Sequence, residues 1–264
     1  MSRDNFDLKE EIRDYWSRRS ETFDLAFGHR IPAGPETDAW QAPIRDFLGS
    51  SRQRVLELAC GTGEVTRLIH DLGHDVTALD FSETMLAVAS KKHAGKPRLR
   101  FIPLTRRTLW NQTKVMTQSS VGISSDTHRT RKTFAEWYRI LKPGGRLLFF
   151  DGDWKRPRSV GRIASFLISL IDRVVGEDKH YDGALSDRHE AIMNALPFGK
   201  GLRAEDVWPL LEEAGFCSIK TLSHAPIAQA QRHKANLRNM LRTYVYRRFI
   251  MTATKPNFVT AKEP

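Results

Sequence analysis

The residues of this chain best suited to hold a ligand are two acids and a glycine-rich turn. Glu57 sits inside the apolar run Val55-Leu56-Glu57-Leu58-Ala59, which leads through Cys60 into Gly61-Thr62-Gly63. Asp80 closes a second apolar run, Asp75-Val76-Thr77-Ala78-Leu79-Asp80. Glycines at a strand end let the backbone approach a ligand closely, because a Cβ there would collide with it. Strand, glycine turn and helix open a nucleotide-binding βαβ unit.

The elements that must position these groups follow from the pattern. Val55 to Ala59 reads as a short buried strand. Val65, Leu68, Ile69 and Leu72 share one helical face, with Gly73 as the C-terminal cap. The spacing argues against the dinucleotide form of the unit, which needs G-x-G-x-x-G. No third glycine follows here, and an acid lies inside the strand.

The stretch instead resembles motif I, E/D-x-G-x-G-x-G, of the class I S-adenosylmethionine-dependent methyltransferases. Glu57, Ala59, Gly61 and Gly63 fall on its positions, with Ala59 replacing the first glycine. The resemblance implies that Asp80 accepts hydrogen bonds from both ribose hydroxyls of the cofactor. Phe81, Ser82 and Met85 continue it, with Ser82 as N-cap of the next helix. Leu141-Lys142-Pro143-Gly144-Gly145 followed by Arg146 to Phe150 resembles the family's turn into its fifth strand. Tyr15-Trp16-Ser17-Arg18-Arg19 and Thr22-Phe23-Asp24 resemble the Tyr-Trp-x-x-Arg-x-x-x-Tyr-Asp entry segment that closes over the cofactor in small-molecule methyltransferases. Plain apolar docking of a terminal helix by Tyr15, Trp16 and Phe23 explains that segment as well. The resemblance spans roughly residues 10–255 as architecture. Against it stands a generic α/β domain whose glycines only make turns.

Composition bounds the rest. At 264 residues, 40% hydrophobic, the chain suits one α/β domain with an insertion. The two cysteines are Cys60 and Cys217. Cys60 falls in the glycine loop, so no disulfide is expected, and a reducing cytoplasm is the expected setting. Met-Ser-Arg-Asp-Asn-Phe-Asp carries no signal-peptide core, and the longest apolar stretch, Ile163 to Ile171, is too short to span a bilayer. The Cys and His residues show no zinc-site spacing, so no metal is expected. The charge of +11, from 42 basic and 31 acidic residues, would ordinarily invite a nucleic-acid partner.

Part of that charge is misleading. Pro97 to Pro103 reads as the third strand, but Leu104 to Arg131 has no sustained period and holds five basic residues against one acid, Asp126. The family resemblance implies an acidic loop and then an apolar fourth strand there, in the centre of the sheet. A one-nucleotide shift of register accounts for the discrepancy. Trp110 followed by Asn111 then necessarily encodes Glu, and Met116 followed by Thr117 encodes Asp. Permitted codons elsewhere allow an acidic run ending in Tyr-Asp-Ala-Val-Val, which rejoins the visible frame at Lys132 to Trp137. The shifted reading would bring the net charge near neutral. In the chain as written, a buried central strand has been replaced by polar, basic sequence, at several kcal/mol for each unpartnered charge. Val121-Gly122-Ile123 is the surrogate strand.

Beyond Phe150, Asp151-Gly152-Asp153-Trp154 borders the acceptor pocket if the resemblance holds. Residues 160–175 form an amphipathic helix, with Ile163, Phe166, Leu167, Leu170, Ile171 and Val174 expected inward. Ala204 to Ala214 is the last family helix, Cys217 to Ser223 the sixth strand and Tyr246 to Thr254 the seventh. Residues 228–245, with Arg232, His233, Lys234, Arg238 and Arg242, read as a solvated helical face.

The expectation is therefore an α/β, Rossmann-like, seven-stranded, mostly parallel sheet with helices on both faces, a helical insertion after strand 5 and a degraded fourth strand. Residues 1–50 form an N-terminal helical cap, 51–154 and 202–256 the cofactor-binding core, 155–201 an insertion serving as acceptor lid, and 257–264 a tail. Glu57, Ala59, Cys60, Gly61, Thr62, Gly63, Asp80, Phe81, Met85, Tyr15 and Arg19 are expected to bind S-adenosyl-L-methionine. The implied reaction is methyl transfer to a small-molecule acceptor. An inactive, frameshift-damaged remnant and a nucleic-acid methyltransferase are the alternatives, the latter resting on charge alone. His180, Tyr181, His189 and Asp153 are candidate bases, and none is singled out as catalytic.

Overall fold

Alternation along the strands sorts the core into two layers. Leu56 and Leu58, Leu79, Leu147 and Phe149, and Phe249, Met251 and Ala253 pack in one layer. Val55, Val76 and Ala78, Leu148 and Phe150, and Ile250 pack in the other. Odd and even residues of a strand point to opposite faces, so both faces of this sheet are buried. The structure is a computed structural model and describes residues 5–104, 118–122, 131–155, 157–176, 183–195 and 202–257.

The strands are β1 (Arg54–Leu58), β2 (Asp75–Asp80), β3 (Leu99–Pro103), β4 (Gln118–Gly122), β5 (Arg146–Asp153), β6 (Cys217–Ser223) and β7 (Arg247–Thr254). They form one sheet in the order β3-β2-β1-β4-β5-β7-β6. The first five run parallel, and β7 is antiparallel to both β5 and β6. The architecture is the expected Rossmann-like α/β sheet. Chain order reverses between β1 and β4, and ligands of such sheets bind beyond the strand ends at that point.

The helices are α1 (Asn5–Arg19), α2 (Pro35–Leu48), α3 (Glu64–Asp71), α4 (Glu83–Lys92), α5 (Arg131–Ile140), α6 (Ser159–Val175), α7 (Gly183–Ala195), α8 (Ala204–Glu213), α9 (Ala225–Arg232) and α10 (Leu237–Val245). Helices α2, α3 and α4 bring Trp40, Ile44, Phe47, Leu68, Ile69 and Leu86 to one face. Helices α5 and α8 bring Phe134, Trp137, Ile140, Val207 and Leu211 to the other. Proline at the first turn starts α2, where its missing N–H costs nothing. Gly73, with φ +93°, follows the last residue of α3's cap and ends it.

β4 pairs with β1 on one side and β5 on the other, in the place the sequence reading gave to a degraded strand. Val121 and Gly122 of the expected surrogate fall in it, and Ile123 lies outside the described residues. So do residues 105–117 and 123–130, on which the register-shift reading rests, and the expected tail from 258.

The expected inward face of α6 is corrected. Ile163, Phe166, Leu167, Leu170 and Val174 are exposed and Ile171 is half-buried, while Gly161 and Ala164 are buried. Small residues are the packing face, because α6 lies close against α10. A Cβ on Gly161 would run into the Val245 backbone, whose carbonyl also accepts from the Arg158 amide at 3.1 Å. Arg238 of α10 pairs with Asp172 at 2.9 Å and donates to the Gly176 carbonyl at 2.6 Å. The expectation of a solvated basic face over 228–245 is corrected at this residue, whose guanidinium is held against α6. The insertion meets the N-terminal cap through α7 instead. His189 stacks on Tyr15 with ring centroids 5.2 Å apart, and Arg188 pairs with Asp14 at 2.7 Å.

Gly161→Ala is expected to cost about 1–3 kcal/mol of α6–α10 docking. Hydrogen exchange checks it, with protection falling in α6 and α10 and holding in β1, β2 and β5.

Candidate cofactor site

The glycine turn is built by backbone geometry. β1 ends at Leu58, and the Cys60 amide still reaches across to the Leu79 carbonyl of β2 at 3.0 Å. The Gly63 amide donates back to the Cys60 carbonyl at 2.9 Å, which closes the turn. Gly61 has φ +53° and Gly63, the N-cap of α3, has φ +83°. A Cβ on Gly63 would meet the His93 ring at 3.0 Å and Ala89 at 3.3 Å. Glycine is required there by conformation and by space.

Asp80 lies at the end of the neighbouring strand and is buried. Its Oδ2 accepts from the Gly61 amide at 2.8 Å, and its Oδ1 accepts from the Ser82 amide at 2.9 Å. Burial pushes its carboxyl above the usual carboxylate range, and the amides of Ser82, Gly61 and Phe81 pull the other way. A carboxylate oxygen has two lone pairs, so each can accept a further donor. Ser82 caps α4 by accepting from the Met85 amide at 3.2 Å, as the sequence implied.

Glu57 is the exceptional group. It is 1% exposed, and its Oε2 has no hydrogen-bond partner among the described residues. Burial pushes its carboxyl up to about 8, with Thr66 offsetting part of the rise and the Asp80 charge adding to it. A buried carboxylate oxygen without a donor is costly and marks a place where one is supplied by something else. Cys60 is buried beside these acids, and burial holds its thiol well above the usual range.

The N-terminal cap is fastened over the turn by polar contacts. Asp24 accepts from the Thr62 hydroxyl at 2.5 Å and from Lys92 at 2.6 Å, and Lys92 also reaches Glu64 at 2.6 Å. Glu64 accepts from the Ile31 amide at 2.9 Å. Ser17 and Ser82 hydroxyls meet at 3.0 Å, joining α1 to α4. The Phe23 ring stands 3.8 Å from where a Gly61 Cβ would be. The sequence offered two readings of this segment, closure over a ligand and plain apolar docking. Tyr15 packs with Leu8 and Ile192, while Asp24 and Phe23 reach the glycine turn.

Glu57, Ala59, Cys60, Gly61, Thr62, Gly63 and Asp80 thus stand together at the strand ends. Met85 is buried behind them, and Arg19 is buried within the cap. Phe81 turns to the surface, where Arg13 lies over its ring at 5.5 Å. His180 and Tyr181 lie outside the described residues. His189 is engaged with Tyr15 and Trp16. Asp151 and Asp153 are buried at the end of β5, where Asp151 accepts from the Trp154 indole at 3.1 Å.

Sequence reasoning missed Lys92 and His29. The His29 Nδ1 lies 3.0 Å from the Phe23 carbonyl and its ring stacks on Phe23, centroids 4.2 Å apart. Burial, with the Arg19 and Arg248 charges adding, lowers it to about 4, so it is neutral at pH 7 and Nδ1 carries the donated proton. Neither residue stands in a motif, and only the fold brings them to the turn.

This turn, the acid after β2 and the reversal of strand order define a class I S-adenosylmethionine-dependent methyltransferase fold. The methyltransferase domain family matches residues 55–145, about a third of the chain. A demethylmenaquinone methyltransferase of Renibacterium salmoninarum is 34% identical over 43% of this chain and 47% of its own length. A ubiquinone/menaquinone biosynthesis C-methyltransferase, UbiE, of Geobacter sulfurreducens is 29% identical over 63% of this chain and 68% of its own. Among solved structures, phosphoethanolamine N-methyltransferase 2 of Haemonchus contortus, in complex with S-adenosyl-L-methionine, superposes with a TM-score of 0.62 at 17% identity, over 92% of this chain and 60% of that one. The chain spans about half the length of most of the curated relatives it matches.

Ala59 has φ +57°, a left-handed conformation at the position where the family carries glycine. Ala59→Gly is expected to stabilise the protein by about 0.5–1 kcal/mol, the relief of strain outweighing the entropy added to the unfolded chain. Urea denaturation reads this directly. Glu57 sets a pH dependence of the opposite kind. Its folded-state value is raised, so its stabilising effect is complete below the ordinary carboxylate range and is lost as pH rises to about 8. Glu57→Gln is expected to flatten that fall by a few kcal/mol, measured as urea midpoints from pH 5 to 9.

Proposed function

We propose that this chain transfers the methyl group of S-adenosyl-L-methionine to a small-molecule acceptor. The observation that carries the reading is the Asp80 carboxylate, buried at the strand end and holding the Gly61 amide, with the Glu57 Oε2 beside it lacking a partner among the described residues. The residues fit the cofactor. The side-chain-free faces of Gly61 and Gly63 leave room for a close approach, Asp80 keeps lone pairs for a diol, and Glu57 lacks the donor that an ammonium or a bound water would supply. Arg19 and Tyr15 complete the set from the cap.

When bound, the cofactor supplies a sulfonium-activated methyl group. The protein's own part is then positioning and exclusion of water, which together can lower a barrier by about 7–11 kcal/mol. The Gly61-Thr62-Gly63 turn and Asp80 orient, and the Asp24–Thr62 and Asp24–Lys92 contacts hold the cap over the site and keep water out. Asp153 and Trp154, past β5, would border the acceptor, and α7, the part of the insertion that touches the cap, would form its lid. A base enters only where the acceptor must lose a proton, and Asp153 and His189 remain the described candidates.

Relatives named for quinone biosynthesis support an acceptor of that small-molecule kind. A nucleic-acid acceptor draws no support beyond the basic balance, of which Leu104 to Arg131 carries five basic residues against one acid. We place the reaction on the cytoplasmic side. Among the described residues no helix is long and apolar enough to cross a membrane.

Asp80→Ala is expected to weaken S-adenosyl-L-methionine binding more than tenfold in calorimetric titration, with the fold kept. Unchanged affinity in a folded sample would sink the reading. The register-shift proposal has its own test in the nucleotide sequence of codons 100–135 from independent clones. An insertion or deletion near each end of that stretch, or a corrected read that restores the acidic string, makes the working enzyme the corrected protein, and a confirmed frame whose shifted reading does not encode that string refutes the shift.

A further inference from the structure

The helix whose apolar face was expected inward turns that face to solvent. On α6, Ile163 is 63% exposed, Phe166 61% and Val174 86%, with Val160, Leu167 and Leu170 also exposed. Their spacing puts them on one face of a helix about 25 Å long. The opposite side packs on α10, with Gly161 and Ala164 buried and Ile168 and Ile171 half-buried. At the far end, Arg238 ties α10 to Asp172 and Gly176.

Among the residues of α6 itself, the exposed charges beside this face have one sign. Arg162 and Arg173 are exposed and lie along one edge of the apolar arc, and Arg158 is exposed at its start. The helix holds one acid, Asp172, and it is engaged by Arg238. Serines Ser165 and Ser169 continue the polar side beyond the arginines. An exposed apolar arc edged by arginine, without a free acid, fits the boundary of an anionic bilayer. Chains there bury apolar side chains while guanidinium groups meet lipid phosphates. Seventeen residues with this polar edge lie on a membrane and do not cross it.

A second copy of the chain fits less well. Pairing α6 with its own copy would bring Arg162 and Arg173 of both copies to one seam, with no unpaired acid on the helix to meet them. One helix face also falls short of the roughly 800 Å² per partner that a standard interface buries.

We propose that α6 is a membrane-surface helix, which seats the protein on anionic lipid through Ile163, Phe166, Leu167, Leu170 and Val174 with Arg162 and Arg173 at the headgroups. The assignment rests on this face alone and stands whether or not the acceptor reading is right.

The test is co-sedimentation of the full chain with vesicles of phosphatidylcholine and phosphatidylglycerol in equal parts, and with phosphatidylcholine alone. Wild type is expected to sediment with the mixed vesicles and to be released as salt rises. Phe166→Glu with Leu170→Glu is expected to reduce partitioning more than tenfold. Arg162→Gln with Arg173→Gln is expected to reduce it about fivefold per arginine. Both double variants replace exposed side chains and are expected to keep wild-type thermal midpoints and S-adenosyl-L-methionine affinity. Three results overturn the proposal: no sedimentation, equal sedimentation with both vesicle types, or a wild-type dimer in light scattering that Phe166→Glu with Leu170→Glu turns to monomer. Loss of cofactor binding by Asp80→Ala leaves vesicle binding intact if the two readings are separate, as argued.

Discussion

One carboxylate ties the ends of two strands together. Asp80 finishes β2, and its oxygens hold the Gly61 amide of the loop after β1 and the Ser82 amide that begins the next turn. Without it, two amides at the centre of the sheet's ligand-binding edge would lose their acceptor, and each such loss costs about 1–3 kcal/mol when buried. The glycine turn keeps its shape because that anchor meets it from the neighbouring strand. The starts of α3 and α4 are then fixed on either side. The cap is laid over a floor already determined.

The site's charge balance carries stored cost. Glu57, Asp80 and Cys60 are buried close together, and the field of each acid opposes ionisation of its neighbours. Proteins keep such arrangements where a ligand supplies the missing donors. Ala59 adds backbone strain of the same locality, since a left-handed conformation is held by a residue with a Cβ. The weakest points of the local fold are therefore gathered around one turn.

Much of this was legible in the sequence. Apolar runs of strand length bounded by glycine, together with acids at their ends, located β1, β2 and the turn. Cys217–Ser223 and Asp75–Asp80 form strands with the boundaries read from pattern. The face of α6 was misread for a physical reason. Periodicity reports that a helix is two-sided and says nothing of which side meets protein, and here small Gly161 and Ala164 make the close contact while the large residues stay outside. Lys92 and His29 were illegible because their partners, Asp24, Glu64 and Phe23, come from elsewhere in the chain and only folding brings them near. At β4, pairing to both neighbours is carried by backbone groups, which every sequence has. Side-chain pattern there was a poor guide to whether a strand forms.

The cap's attachment has a kinetic side. Asp24, Thr62, Lys92 and Glu64 bridge the cap to α3 and α4, and the ion pair from Lys92 to Asp24 spans 68 residues of chain. Partly exposed ion pairs of this kind contribute about 0–1 kcal/mol each, far less than the buried layers of the sheet. Asp24 and its neighbours can therefore part from the turn while α2 and the sheet stay packed, as a separate low-energy opening. The partners of Asp24 are Thr62 in the glycine turn and Lys92 at the end of α4, so this contact needs both in place. The contacts between this segment and the turn are thus a polar seam that salt weakens.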